Sequence, residues 1–247
     1  ALPLESASLL KKAGPKTLFV LTGRFYESYG LPTIAAAQPV ARRMKLNARM
    51  AAASTWRNLM TNQEEFRDIF TRCVTRKGAD KLLAWLEQGD FFTAPASTRY
   101  HLAEDGGLCA HSLHVYKRLD MLVKAEDLEV SDESVALCGL LHDLCKAGFY
   151  KKEMRNSKIG GVWKEVPYFT IDDQFPYGHG EKSVFLIERF LRLTTEEALA
   201  IRWHMGGFDD AARGGCSAIS VAYGQCPLAV CLHIADMEAT YLDEAGL

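Results

Sequence analysis

Through most of the chain, apolar positions recur with the period of a helix that buries one face. Phe66, Ile69, Phe70 and Cys73 fall at i, i+3, i+4 and i+7, and Thr61 with Glu64 three residues on forms a capping box ahead of them. A second helix runs through Lys81, Leu82, Leu83, Trp85 and Leu86 and stops at Gly89. After an extended stretch at 91–95, Gly106-Gly107 opens a helix carrying Leu108, His111, His114, Val115 and Leu119. Ser131 caps the next, whose apolar residues Val135, Leu137, Leu140, Leu141 and Leu144 lead into His142-Asp143. Further helices are predicted at 180–193, at 194–205 behind a Thr194/Glu197 capping box, and at 227–242 with Pro227 in the first turn.

The pattern breaks once. Gly160-Gly161 separates two segments, 154–159 and 162–170, the second rich in aromatic and β-branched residues, which predicts a β-hairpin. The expected fold is all-α, a helical bundle at 53–247 with a small hairpin inserted at about 150–170, preceded by a basic appendage at 1–52. That appendage holds Pro3, Pro15, Pro32 and Pro39, room for one strand at 17–22 and a helix at 38–53, and no assignable chemistry. Met50 stands where the composition changes and reads as a native or alternative start.

Charge sharpens this division. The 247 residues carry 29 Lys and Arg against 31 Asp and Glu, a net charge of −2. Residues 1–49 hold eight of the bases and only two acids, for +6, so the remainder carries −8. A body this acidic is poorly suited to neutralising a duplex backbone, so no stable binding to duplex nucleic acid is expected. With 48% hydrophobic and 24% charged residues the chain is neither disordered nor fibrous. The apolar run at 18–21 is too short to span a bilayer or to serve as a signal core, so no membrane association is expected. Seven cysteines without a Cys-x-x-Cys pair suggest neither a disulfide framework nor a zinc ribbon, and reduced thiols in the cytoplasm are the expectation.

The candidate chemistry lies in the histidines and aspartates. Asp143 follows an apolar run, where a carboxylate is costly unless it is paired or bound to a metal. In chain order, His111, His142-Asp143, His179, His204 and Asp236 supply four imidazoles and two carboxylates. That mixed set suits two divalent ions of Mn, Fe, Zn, Ni or Co better than Mg or Ca, with one Asp bridging. Lys146 falls one helical turn after Asp143, placed to bind a phosphoryl group or stabilise developing charge.

The order His, His-Asp, His, His, Asp over about 97–243 resembles the HD-domain superfamily of metal-dependent phosphohydrolases. The resemblance implies a core of five or more helices. It also implies a first metal held by His111, His142, Asp143 and Asp236, and a second held by His179 and His204 with Asp143 bridging. The Gly-Gly-Leu-x-x-His and His-Asp-x-x-Lys forms look most like members that include an HD-domain 3′-to-5′ exoribonuclease and the cyclic-dinucleotide phosphodiesterases. An oligonucleotide-binding domain and a Gly-Tyr-Pro signature are not recognisable here, so neither of those substrates carries over.

The function expected is hydrolysis of a nucleotide or other small phosphoester, monoester or diester, by a water activated at a two-metal centre, with Asp143 and Lys146 catalytic. Lys146, Arg99, His101, Arg155 and Glu181 are candidate substrate contacts. His114 and His233 stand near ligands as orienting or core histidines. Lys151, Lys152 and Arg155 with Trp163, Tyr168 and Tyr177 would make the hairpin either a lid over a nucleotide or a surface packed on the bundle. Two other readings have different chemistry: a di-iron HD-domain oxygenase acting on a diol or phosphonate, and a non-catalytic nucleotide sensor.

Overall fold

A computed structural model describes residues 60–245. The appendage at 1–52, with its expected strand and helix, lies outside the described residues. In order come α1 (Asn62–Cys73), α2 (Ala79–Gln88), α3 (Gly107–Ala125), α4 (Asp132–Leu141), β1 (Tyr150–Ile159), β2 (Val162–Ile171), α5 (His179–Glu188), α6 (Thr195–Trp203), α7 (Asp210–Arg213), α8 (Ala218–Gln225) and α9 (Pro227–Glu238). The fold is mostly helical with one hairpin, as the apolar pattern predicts.

Local chemistry starts these helices where expected. Thr61 accepts the Glu64 amide and Glu64 returns a bond to the Thr61 amide, and Thr194 with Glu197 repeats the arrangement at α6. Ser131 accepts the Ser134 amide at α4. The apolar faces close on one core that includes Phe66, Phe70, Leu82, Phe91, Leu137 and Leu140. Helix α3 packs on α4 and α9, α9 on α6, and α6 on α5. Two glycines allow close approaches between helices: a Cβ on Gly139 would meet the Tyr116 Cα at 2.6 Å, and one on Gly180 would meet the Arg202 carbonyl oxygen at 2.2 Å. Glycine thus lets α4 press onto α3, and α5 onto α6.

The hairpin is antiparallel, with Ile159 opposite Val162 and Tyr150 opposite Ile171. Gly160 and Gly161 both take positive φ, 59° and 85°, which the two-residue turn requires. A lone hairpin is marginal in water, and this one is fixed at its root. Tyr150 Oη donates to the Ala96 carbonyl at 3.3 Å, and Lys152 pairs with Asp105 at 2.6 Å.

Several boundaries differ from expectation. Residues 91–95 form turns, because the amides of Thr93 and Ala94 both bond the Asp90 carbonyl while Phe91 fills the core. Helix α5 ends at Glu188, whose carboxylate accepts the Leu193 amide at 2.7 Å instead of letting the helix continue. After Glu238, α9 widens into a π turn at Ala239–Asp243. Helices α7 and α8 were not expected; only Ala222 of α8 is buried, so no apolar stripe marks it. Among the described residues, no single helix is long and apolar enough to cross a membrane.

Candidate metal centre

The six residues of the histidine–aspartate series converge from five elements. His111 lies on α3 and Asp236 on α9, while His179 is the first residue of α5. His142 and His204 occupy the C-cap positions of α4 and α6, and Asp143 follows His142 at the head of a short 3₁₀ turn, Leu144–Lys146. Helix ends leave carbonyls without intrahelical partners, and both C-cap histidines use them. His142 Nδ1 donates to the Gly139 carbonyl at 3.0 Å, and His204 Nδ1 to the Ile201 carbonyl at 2.6 Å. With the proton fixed on Nδ1, each Nε2 turns a lone pair inward.

Asp143 sits at the centre, with only 3% of its surface exposed. Its Oδ1 lies 2.7 Å from His179 Nε2 and 3.5 Å from His204 Nε2. Its Oδ2 lies 3.6 Å from the Nε2 atoms of both His111 and His142, and 2.6 Å from Lys146 Nζ. His111 Nε2 is also 3.2 Å from Asp236 Oδ1 and 3.3 Å from His142 Nε2. The two carboxylate oxygens therefore face two different donor sets.

Electrostatics follow from this crowding. Burial pushes His142 down to about 3, so it stays neutral with a free lone pair. Burial also works against His111 and His179, but carboxylate contacts outweigh it for His111, raised to about 9. For His179, Cys145 and Asp143 outweigh it, and the imidazole rises to about 10. Burial raises both aspartates, yet Lys146 and His142 hold Asp143, and His111 holds Asp236, well below the usual carboxylate range. Lys146 is lifted above its usual value by Asp143 despite its burial.

The residues fit divalent cations. His204 Nε2 is buried and makes no hydrogen bond among the described residues, an expensive state that a cation would relieve. Atoms from His111, His142 and Asp236 lie within 4.8 Å of one another, as do those of His142, Asp143 and His204. The donors are imidazole and carboxylate, the set that binds mid-series divalent metals.

A family model for the HD domain matches residues 108–240, just over half of the chain. The chain belongs to the HD-domain family. HD domains bind divalent metals, which agrees with the clustered histidines and aspartates here. No curated protein and no solved structure matches the chain.

Within this HD domain, the other residues singled out divide into two groups. His101 is brought to the cluster, its ring 4.9 Å from that of His111 and its Nε2 buried with no hydrogen-bond partner among the described residues. His233 Nδ1 donates to the His204 carbonyl at 2.7 Å, and His114 Nδ1 donates to Glu244 at 2.8 Å, so both act on neighbours of the cluster. Arg99 is exposed and lies over the Tyr100 ring. Glu181 pairs with Arg202 at 2.5 Å instead of facing His179. Arg155 stacks over Tyr168 halfway along the hairpin, and Trp163 pairs with Lys158 near its far end. At about 3.3 Å per residue, the eight steps from Tyr150 to Lys158 carry Trp163 some 26 Å from the root. Tyr177 joins a surface cluster with Phe175 and Phe185.

Two contacts carry no sequence signal of their own. Cys145 Sγ lies 3.4 Å from His179 Nδ1; only its adjacency to His142-Asp143 pointed toward it. Glu244 bonds His111 from behind, at 3.1 Å, and nothing short of the three-dimensional arrangement indicates it.

Proposed function

We propose that this HD domain is a metal-dependent phosphohydrolase acting on a nucleotide or other small phosphoester. The observation that carries the reading is the division of labour at Asp143, with His179 and His204 on Oδ1 and His111, His142 and Lys146 on Oδ2. On this reading His111, His142, Asp143 and Asp236 hold one divalent cation, and Asp143, His179 and His204 hold a second, with Mn, Fe, Co, Ni or Zn suited to the donors. When bound, such a pair lowers the pKa of a water and neutralises charge on phosphate oxygens.

The protein's own groups supply the rest. The Nδ1–H bonds to Gly139 and Ile201 hold His142 and His204 with Nε2 inward, so no reorganisation is needed on binding. Lys146 keeps its ammonium at the cluster with 14% of the side chain exposed, where it meets an anionic oxygen from solvent and balances developing charge. His101, beside His111 with a free Nε2, offers a second donor to the same group. Arg99, Arg155 and Glu181 have other partners here and on this reading have no assigned role. The net −8 of residues 50–247 favours a small phosphoester over a polyanion.

The test is an assay of Mn²⁺-loaded protein against nucleotides and phosphodiesters, with O₂ uptake followed in parallel. Release of phosphate or nucleoside monophosphate without O₂ uptake supports the proposal. Iron content with O₂ consumption, and no phosphoester turnover, favours an oxygenase and overturns it.

A further inference from the structure

His111 is gripped at both ring nitrogens by carboxylates from one stretch of chain. Asp236 Oδ1 lies 3.2 Å from Nε2, and Glu244 lies 3.1 and 3.2 Å from Nδ1 through its two oxygens. In an unbroken α-helix, residues eight apart are separated by about 12 Å along the axis, too far to bracket one imidazole. The π turn Ala239–Asp243 resolves this, because the Glu244 amide bonds the Ala239 carbonyl five residues back and the chain is widened where it passes behind α3. Such turns are rare and concentrate at functional sites.

The Glu244 side chain is fully buried, at 0% exposure. A carboxylate there is costly unless its oxygens accept hydrogen bonds, and among the described residues no Lys or Arg pairs with it. Its hydrogen-bond partners are imidazoles, His111 Nδ1 and His114 Nδ1, the latter at 2.8 Å, while His101 Nε2 stands 4.0 Å away, beyond hydrogen-bond reach. The carboxylate is thus dedicated to the outer face of the histidine cluster.

We propose that Glu244 is a positioning residue for the metal centre, keeping the proton of His111 on Nδ1 so that Nε2 presents its lone pair to the cation position shared with His142, Asp143 and Asp236. His142 and His204 obtain the same constraint from backbone carbonyls. His111 sits inside a helix, where the carbonyls are already bonded, and takes it from a side chain. The inference rests on the reading that the cluster binds cations.

The experiment titrates metal-free protein with Mn²⁺ in wild type, Glu244→Ala, Glu244→Gln and Asp243→Asn. The last variant weakens the Arg118–Asp243 pair beside the same turn, by removing its carboxylate charge, without touching His111. Glu244→Ala is expected to weaken one of two binding events about 10- to 100-fold; Glu244→Gln, which keeps an acceptor oxygen, recovers part of the loss, and Asp243→Asn matches wild type. Equal affinity in Glu244→Ala and wild type overturns the inference, as does an equal loss in Asp243→Asn. If wild type binds no Mn²⁺, the functional reading fails instead. Should Glu244→Ala not fold, ¹⁵N imidazole spectra of Zn²⁺-loaded wild type decide: a protected proton on His111 Nδ1 supports the inference, and its absence overturns it.

Discussion

The backbone of Gly180 runs directly against the carbonyl of Arg202, so closely that a Cβ at Gly180 would stand 2.2 Å from that oxygen. His179 adjoins Gly180 and His204 lies two residues after Arg202, and their ring centroids lie 5.2 Å apart. The obstructing atoms are backbone and cannot swing aside. Gly180→Ala is therefore expected to cost about 1–3 kcal/mol in urea unfolding, the usual price of overpacking, and to weaken metal binding at the His179/His204 position. Unchanged stability and unchanged metal affinity would contradict that role.

Removing imidazoles one at a time separates the two halves of the cluster. His179→Ala and His204→Ala are each expected to lose one metal equivalent and keep the other, whereas His111→Ala affects the equivalent they leave intact. Metal content after dialysis checks this; three variants with identical metal content would argue against two positions.

Lys146→Ala removes the cation nearest Asp143 Oδ2 but no proposed ligand. It should retain metal and lose on the order of 10²-fold in turnover, the effect typical of deleting one charge-stabilising donor. Steady-state kinetics on metal-saturated protein provide the measurement.

Acid stability depends on a group far from this chemistry. Burial pushes the Glu197 carboxyl up, but Arg76 at 2.7 and 2.8 Å, the Thr194 amide and Ser134 outweigh it and hold the group below its ordinary value. A depressed folded-state pKa contributes stability that is fully present above the unfolded value of about 4.3 and is lost as pH falls through the folded one. Glu197→Gln should therefore be less stable than wild type by on the order of 2–3 kcal/mol near neutrality. The gap should narrow below about pH 4.5; urea unfolding at several pH values measures it.

What could be read from the sequence was local. The Thr61/Glu64 and Thr194/Glu197 capping boxes, the Gly160-Gly161 turn and the apolar stripes each lie within a few residues of one another, and each forms the element expected. The ligand series was visible because histidine and aspartate next to apolar residues are conspicuous. Close approaches between distant segments were not: nothing adjacent to Gly139 or Gly180 names Tyr116 or Arg202 as the surface each must clear. Glu244 next to Asp243 reads as a pair of ordinary surface acids until the π turn carries one inward to His111 and leaves the other on Arg118. Phe91 and Phe92, aromatic residues in a short run, resemble a strand but serve as core plugs on turns.

The most direct measurement compares metal content and phosphoester turnover in wild type and Asp143→Ala, both purified without chelator. Because Asp143 faces both donor sets, the account predicts two equivalents and hydrolysis in wild type, and loss of both activities in the variant. An Asp143→Ala protein that still holds two equivalents and still releases phosphate would contradict it.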